Sequence, residues 1–208
     1  MKVKILALGL MALLLWSSSP LAAAPSSGPR GVMEDSLNQI MGLLVDPASG
    51  DNGLWPDKRK EVVAIIDSHF DFEEMAKRCL ARAWRKRSPE EKEHFVVIFK
   101  ELLQNTYIDR LQTVSNEKIS IEGVREKGKK AVVKTIVHHK RQDYSFIYKM
   151  ISKNKQWYVY DVVIEGVSLV SNYRSQFSQV IGKDGYPALV ARIEEKLEPG
   201  VAVKDYDN

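Results

Sequence analysis

The residues with chemical potential in this 208-residue chain are four histidines, one cysteine and one carboxylate set in an apolar run. His138 and His139 are neighbours in a segment of strand character, so they point to opposite faces and cannot ligate one metal together. His69 closes a helical segment, and His94 lies in another between Glu93 and Phe95. The chain has no H-E-x-x-H, C-x-x-C or G-x-S-x-G motif and no glycine-rich phosphate loop. A serine–histidine–aspartate set drawn from distant positions leaves no local signature, and nothing in the residues points to one. Neither an enzyme activity nor a cofactor or metal is expected.

Cys79 is the only cysteine, so an internal disulfide is impossible and stability must come from packing. Its place before Leu80 in a helical segment predicts a buried, inert thiol. Asp161 interrupts the run Trp157–Ile164. Strict alternation puts it on the face of Trp157, Val159 and Val163, opposite Tyr158, Tyr160, Val162 and Ile164. A carboxylate there needs an arginine or a backbone amide as partner, or its pKa rises. The functional reading of the same residue is a group at the mouth of a cavity.

The elements that must position these residues fall into two halves. From residue 31 to 115 the apolar period is helical. Met33, Leu37, Ile40, Met41 and Leu44 form one stripe, and Val62, Val63, Ile65 and Ile66 build a second helix. Between them the Pro- and Gly-rich stretch 46–56 reads as a loop. Asp71 to Glu74 and Ser88 to Glu91 read as capping boxes, the second with Pro89 at the first helical position. The long helix after Ser88 carries Phe95, Phe99, Leu102, Leu103 and Tyr107 on one side. From 117 to 164 the period is two, with short turns near Gly128 and Asn154, which predicts a four-stranded antiparallel meander. A last strand apolar on both faces must be covered twice. Helices from the first half supply one cover, and two C-terminal helices within 168–198 the other. The fold class is α+β in one unit.

The N-terminus sets the compartment. Lys2 and Lys4 precede the apolar run Ile5–Trp16, and Leu21-Ala22-Ala23-Ala24 follows a Ser/Pro break. This order predicts a secretory signal peptide over 1–24, too short to span a bilayer, where about 20 apolar residues are needed. Without a nearby cysteine no lipid anchor is expected, so the remaining 25–208 forms a single exported domain. The formal charge of +4 falls to +2 once Lys2 and Lys4 are removed. Charge and export together speak against nucleic acid. A monomer is expected.

The segment from Trp157 to Phe177, WYVYDVVIEGVSLVSNYRSQF, closely resembles the signature of the MlaC, or toluene-tolerance, family of periplasmic phospholipid-binding proteins. Upstream, Asp71-Phe72 to Trp84-Arg85 and Ser88-Pro89-Glu90 to Thr106-Tyr107 are also similar to family segments, and the similarity runs over roughly 33–198. Two departures stand out: Ala81 replaces the usual glycine, and the strand before Tyr144 lacks prolines. The resemblance implies a strongly curved, NTF2-like sheet with acyl chains held between sheet and helices. It implies a soluble periplasmic carrier with phospholipid as cargo. Its implied partners are an inner-membrane lipid transporter complex with a substrate-binding ring protein and an outer-membrane lipoprotein–porin complex, which together maintain outer-membrane asymmetry. A sister branch is hopanoid-associated, so a hopanoid-associated lipid carrier is the alternative that the resemblance implies. Two competing readings stand beside the carrier: a small-molecule enzyme with Asp161 as base, and a docking module with a solid core.

Predicted facing then selects the lipid-binding residues. They are Trp84, Phe95, Phe99, Leu102, Leu103 and Tyr107 from the helices, and Ile136, Phe146, Tyr148, Trp157, Val159 and Val163 from the strands. Val170, Tyr173 and Phe177 come from the C-terminal side. Asp161 and Arg174 are expected to be structural or to sit at the cavity mouth. A cavity near the upper end of the usual ~300–1,000 Å³ range is expected.

Overall fold

A computed structural model describes residues 28–44, 55–111, 118–139 and 142–198. The expected signal peptide, most of the 46–56 loop and the chain beyond 198 lie outside the described residues. Helices α1 (Pro29–Leu44), α2 (Trp55–His69), α3 (Phe72–Leu80) and α4 (Pro89–Leu111) come first, with a 3₁₀ turn at Ala83–Lys86. Strands β1 (Lys118–Lys127), β2 (Lys130–His139), β3 (Gln142–Lys153), β4 (Gln156–Ile164) and β5 (Val167–Ser168) follow, then α5 (Leu169–Asp184) and α6 (Tyr186–Leu197). The 46–56 loop is shorter than expected, because Trp55 and Pro56 already open α2.

Local chemistry accounts for the boundaries. At Ser88 the box closes in both directions: the Ser88 amide donates to Glu91 Oε2 at 2.8 Å, and the Glu91 amide donates to Ser88 Oγ at 3.1 Å. At Asp71 it closes only one way. Asp71 Oδ1 accepts from the Glu74 amide at 3.0 Å, while Glu74 turns instead to Lys77 and Arg78. Two tight turns of the sheet use left-handed backbone. Asn154 and Lys155 have φ of 51° and 65°, and Glu165 and Gly166 have 48° and 84°, the mirror-image turns that match strand twist.

Ala81 ends α3 with φ at +49°, its amide donating to the Lys77 carbonyl. A Cβ is costly in that conformation and glycine is not, which is a physical reason for glycine to be usual there. Ala81→Gly is expected to stabilise the protein by about 1 kcal/mol, read as a higher midpoint in urea denaturation at unchanged slope.

The sheet is an open antiparallel meander in the order β1-β2-β3-β4-β5. The fifth strand, two residues pairing Val163 with Ser168 and Ile164 with Val167, was not expected. It is too short to leave a periodicity signal. Bulges interrupt the register between Ile121 and Gly123 on β1 and at Tyr160 on β4. On β4, Asp161 opposes Lys149 and Val159 opposes Met150, so Tyr160 is the extra residue. One extra residue moves everything beyond it to the other face. The expected facing is corrected accordingly: Trp157 and Val159 share the inner face with Val162, while Asp161 and Val163 alternate with Val162 and turn outward.

The buried residues form two bodies. One is a helical cluster in which Phe95, Phe99 and Leu102 of α4 meet Tyr173 and Phe177 of α5 and Leu189 and Ile193 of α6. Phe99 stands edge-on to Tyr173 at 5.4 Å and to Phe177 at 5.7 Å, the geometry aromatic rings prefer. The other joins Met33 of α1 to Ala131, Val133, Met150, Trp157, Val159 and Val162 on the inner sheet face. The Asp71 amide donates to the Val159 carbonyl at 2.8 Å, fastening the α2–α3 corner to β4. Cys79 is buried in the helical cluster, its Sγ 3.7 Å from the Val170 carbonyl, and burial pushes its thiol pKa well up, as an inert thiol requires.

Candidate functional site

Between the two bodies a cavity of about 250 Å³ remains. Each wall follows from an amphipathic face that finds no solid partner. The α1 stripe of Leu37, Ile40, Met41 and Leu44 forms one side. Ile65 and Ile66 of α2 and the second half of α4, with Leu103, Tyr107, Ile108 and Leu111, form another. Ile119, Val137, Phe146, Tyr148, Val162 and Ile164 supply the sheet wall. The volume falls below the large cavity expected, because α1 lies against α2 and the sheet and closes the space down.

The polar side chains on the wall are already engaged by protein partners. Ser36 Oγ donates to the Met33 carbonyl at 3.1 Å, and Gln104 Nε2 donates to Asp67 Oδ1 at 3.0 Å. His69 Nδ1 lies 2.8 Å from the Ile65 carbonyl oxygen. Burial raises the Tyr148 hydroxyl to about 12, so it remains neutral at physiological pH. An apolar guest therefore meets a wall without free charge, which is what hydrocarbon requires.

Of the residues expected to line a lipid site, Leu103, Tyr107, Phe146 and Tyr148 do line this cavity. The others lie elsewhere. Trp84, Phe95, Phe99, Leu102, Val170, Tyr173 and Phe177 pack in the helical cluster. Trp157 and Val159 pack on the inner sheet face in the second cluster. Val163 is buried on the outer face, and Ile136, half-buried, shares that face because its neighbours Thr135 and Val137 turn inward. Flat rings interlock densely against other rings and leave no void, so the aromatic-rich half of α4 became core. The α1 and α2 aliphatic stripes, read only as buried, became wall. Their signal was the methionine and leucine stripe of α1 and the Ile65–Ile66 pair of α2.

Asp161 is not at a mouth. Only 3 % exposed, it accepts from Lys149 Nζ at 2.8 Å, Ser168 Oγ at 2.7 Å and the Val170 amide at 3.1 Å. The amide was expected; the cation is a lysine rather than an arginine. Arg174 instead donates from Nε to the Arg78 carbonyl at 2.8 Å, joining α5 to α3. Asp161→Asn keeps the shape but removes the charge from three hydrogen bonds, with an expected loss of about 2 kcal/mol, read in thermal unfolding with cavity loading retained.

One triad-like arrangement does occur. His138 lies with Nδ1 2.9 Å from Asp143 Oδ1 and Nε2 3.0 Å from Ser120 Oγ. It sits on the outer face, since the neighbouring Ile119 and Val137 line the cavity. The Ser120 hydroxyl also lies 2.8 Å from Glu122 Oε1 as donor, a carboxylate competing for the proton that a nucleophile would give to histidine. Among the described residues no group of three metal-ligating side chains is assembled, and no helix is long and apolar enough to cross a membrane.

Comparison with known proteins agrees with this architecture. A family model described as MlaC protein matches residues 34–195. The intermembrane phospholipid transport system binding protein MlaC of Haemophilus influenzae is 25% identical over 133 residues, 61% of this chain and 62% of that protein. The toluene tolerance protein ttg2D of Pseudomonas putida is 22% identical over 190 residues, 88% of this chain and 86% of that protein. A solved phospholipid-binding protein from Ralstonia solanacearum, in complex with a phospholipid, superposes with a TM-score of 0.70 at 24% identity, covering 80% of this chain and 94% of that one.

Proposed function

Because the chain belongs to the MlaC family, we propose that it is a periplasmic carrier that holds the acyl chains of a phospholipid in the cavity between α1, α2, α4 and the sheet. The observation that carries this reading is a half-open apolar cavity whose polar wall groups are spent on protein partners. Solved and curated relatives with phospholipid in their names or complexes support it.

Energetics explain why such a protein needs no reaction of its own. Each methylene exposed to water costs about 0.8 kcal/mol, so two ordinary acyl chains cost on the order of 20 kcal/mol to hydrate. A carrier that imitates the bilayer interior makes loading nearly neutral and leaves the barrier in transfer. Partner complexes at the two membranes, an inner-membrane transporter with its ring protein and an outer-membrane lipoprotein–porin complex, lower that barrier and set direction. The carrier is not an enzyme in this reading, and its signal peptide is removed on export. A two-chain lipid exceeds about 250 Å³, so in this reading loading widens the cavity or leaves part of the lipid outside it.

Native mass spectrometry of protein purified without detergent from the periplasm tests the proposal. One lipid mass per protein is expected, identified by extraction as phospholipid or, for the sister branch, hopanoid. Consistently lipid-free protein would overturn it.

A further inference from the structure

At the end of the sheet opposite Val137 and Ile119, two hairpin turns lie side by side. Lys130 opposes Ile151, and the Ser152 amide donates to the Lys129 carbonyl at 2.9 Å. The turns bring together Arg125, Lys127, Lys129 and Lys130 from β1–β2 with Lys153 and Lys155 from β3–β4, all exposed. Lys153 is paired with Asp71 and lies in reach of the charges of Glu73 and Glu74, and Glu126 is the one acid on the turns themselves. Among the described residues, Arg125, Lys127, Lys129, Lys130 and Lys155 enter no ion pair. Five free cations on one blunt end are out of proportion to a whole-chain formal charge of +4, so positive charge is segregated there.

Lysines on a sheet edge commonly block strand-to-strand aggregation. That accounts for Arg125 and Lys127 on β1, the edge strand, but not for Lys130 on β2 or Lys155 in the β3–β4 turn. The residue types discriminate between occupants. Specific protein interfaces favour arginine, with its directional fork, and are depleted in lysine. Here lysine outnumbers arginine among the free cations by four to one. An end bearing hydrated point charges on flexible stems fits a diffuse anionic layer.

We propose that this cationic end is a docking surface for an anionic membrane. It rides on the headgroups through long-range attraction, without apolar insertion. The sheet wall of the cavity at Val137 lies seven residues along β2 from Lys130, roughly 20 Å away, while Phe70 and Phe72 of its helical wall flank Asp71, the partner of Lys153. The surface acts independently of what the cavity holds.

The test is co-sedimentation of the full chain with phosphatidylcholine vesicles, with and without about 30% phosphatidylglycerol, at low and high salt. Binding only to the anionic vesicles, lost at high salt, is expected. The triple substitution Lys127→Glu, Lys129→Glu, Lys130→Glu should weaken it about 100-fold or more, and Lys127→Gln with Lys129→Gln should weaken it less. Equal binding to both vesicle types, or variants that bind like the parent, would overturn the proposal. So would retention of the protein by polyglutamate under conditions where anionic vesicles do not hold it, which would assign the surface to an acidic protein. Lipid content, measured on the same preparations, should be equal in parent and variants, so the vesicle result stands or falls apart from the carrier reading.

Discussion

Replacing Phe146 by arginine is expected to empty the protein while leaving it folded. Phe146 sits on the sheet wall of the cavity, half-buried, opposite Thr135 on β2 and Ile164 on β4. It packs against the inner-sheet cluster and also borders the open space of the cavity, into which a longer side chain extends. A guanidinium there draws water inward, and hydrocarbon placed against it must strip that water without giving a hydrogen bond in return. Co-purifying lipid should fall by about tenfold or more, the factor that roughly 1.4 kcal/mol represents. Circular dichroism should be unchanged. Full lipid occupancy in this variant would remove the cavity from the account of binding.

Phe99→Ala should do the reverse. Phe99 is wholly buried and touches Phe95, Tyr173 and Phe177 in the helical cluster, away from the cavity wall. Truncation leaves a void that three large rings cannot close. A cost of about 3–5 kcal/mol follows, which lowers Tm by roughly 10 °C for a chain of this size. The molecules that remain folded should still carry lipid. Calorimetry beside lipid extraction separates the two effects. Loss of lipid with little loss of stability would mean that the ring belongs to the binding wall after all.

These two residues also mark what the chain made legible. Helix starts at Ser88 and Asp71 were readable because these caps act locally, each accepting from an amide three residues on. The meander was readable because alternation and turn residues are also local. Facing on β4 was not, since the extra residue at Tyr160 has no signature in a run where every neighbour but Asp161 is apolar or aromatic. The split of α4, with Phe95 and Phe99 in a solid cluster and Leu103 and Tyr107 on a cavity wall, was hidden for a related reason. Periodicity reports that a face is covered, but not whether the cover touches it. Only the meeting of α1, α2 and the sheet decides that. Asp161 was recognisable as a buried acid in need of partners, but Lys149 and Ser168 became identifiable only with the register known.

The lone buried thiol has a consequence for how the molecule lives. With Cys79 sealed against Val170 and no second cysteine in the chain, no covalent stitch joins the helices to one another or to the sheet. Maturation needs no oxidase, and a shift in ambient redox poise leaves the architecture untouched. The same freedom leaves α1 held against its neighbours by non-covalent contacts, so opening and resealing this wall breaks no covalent bond.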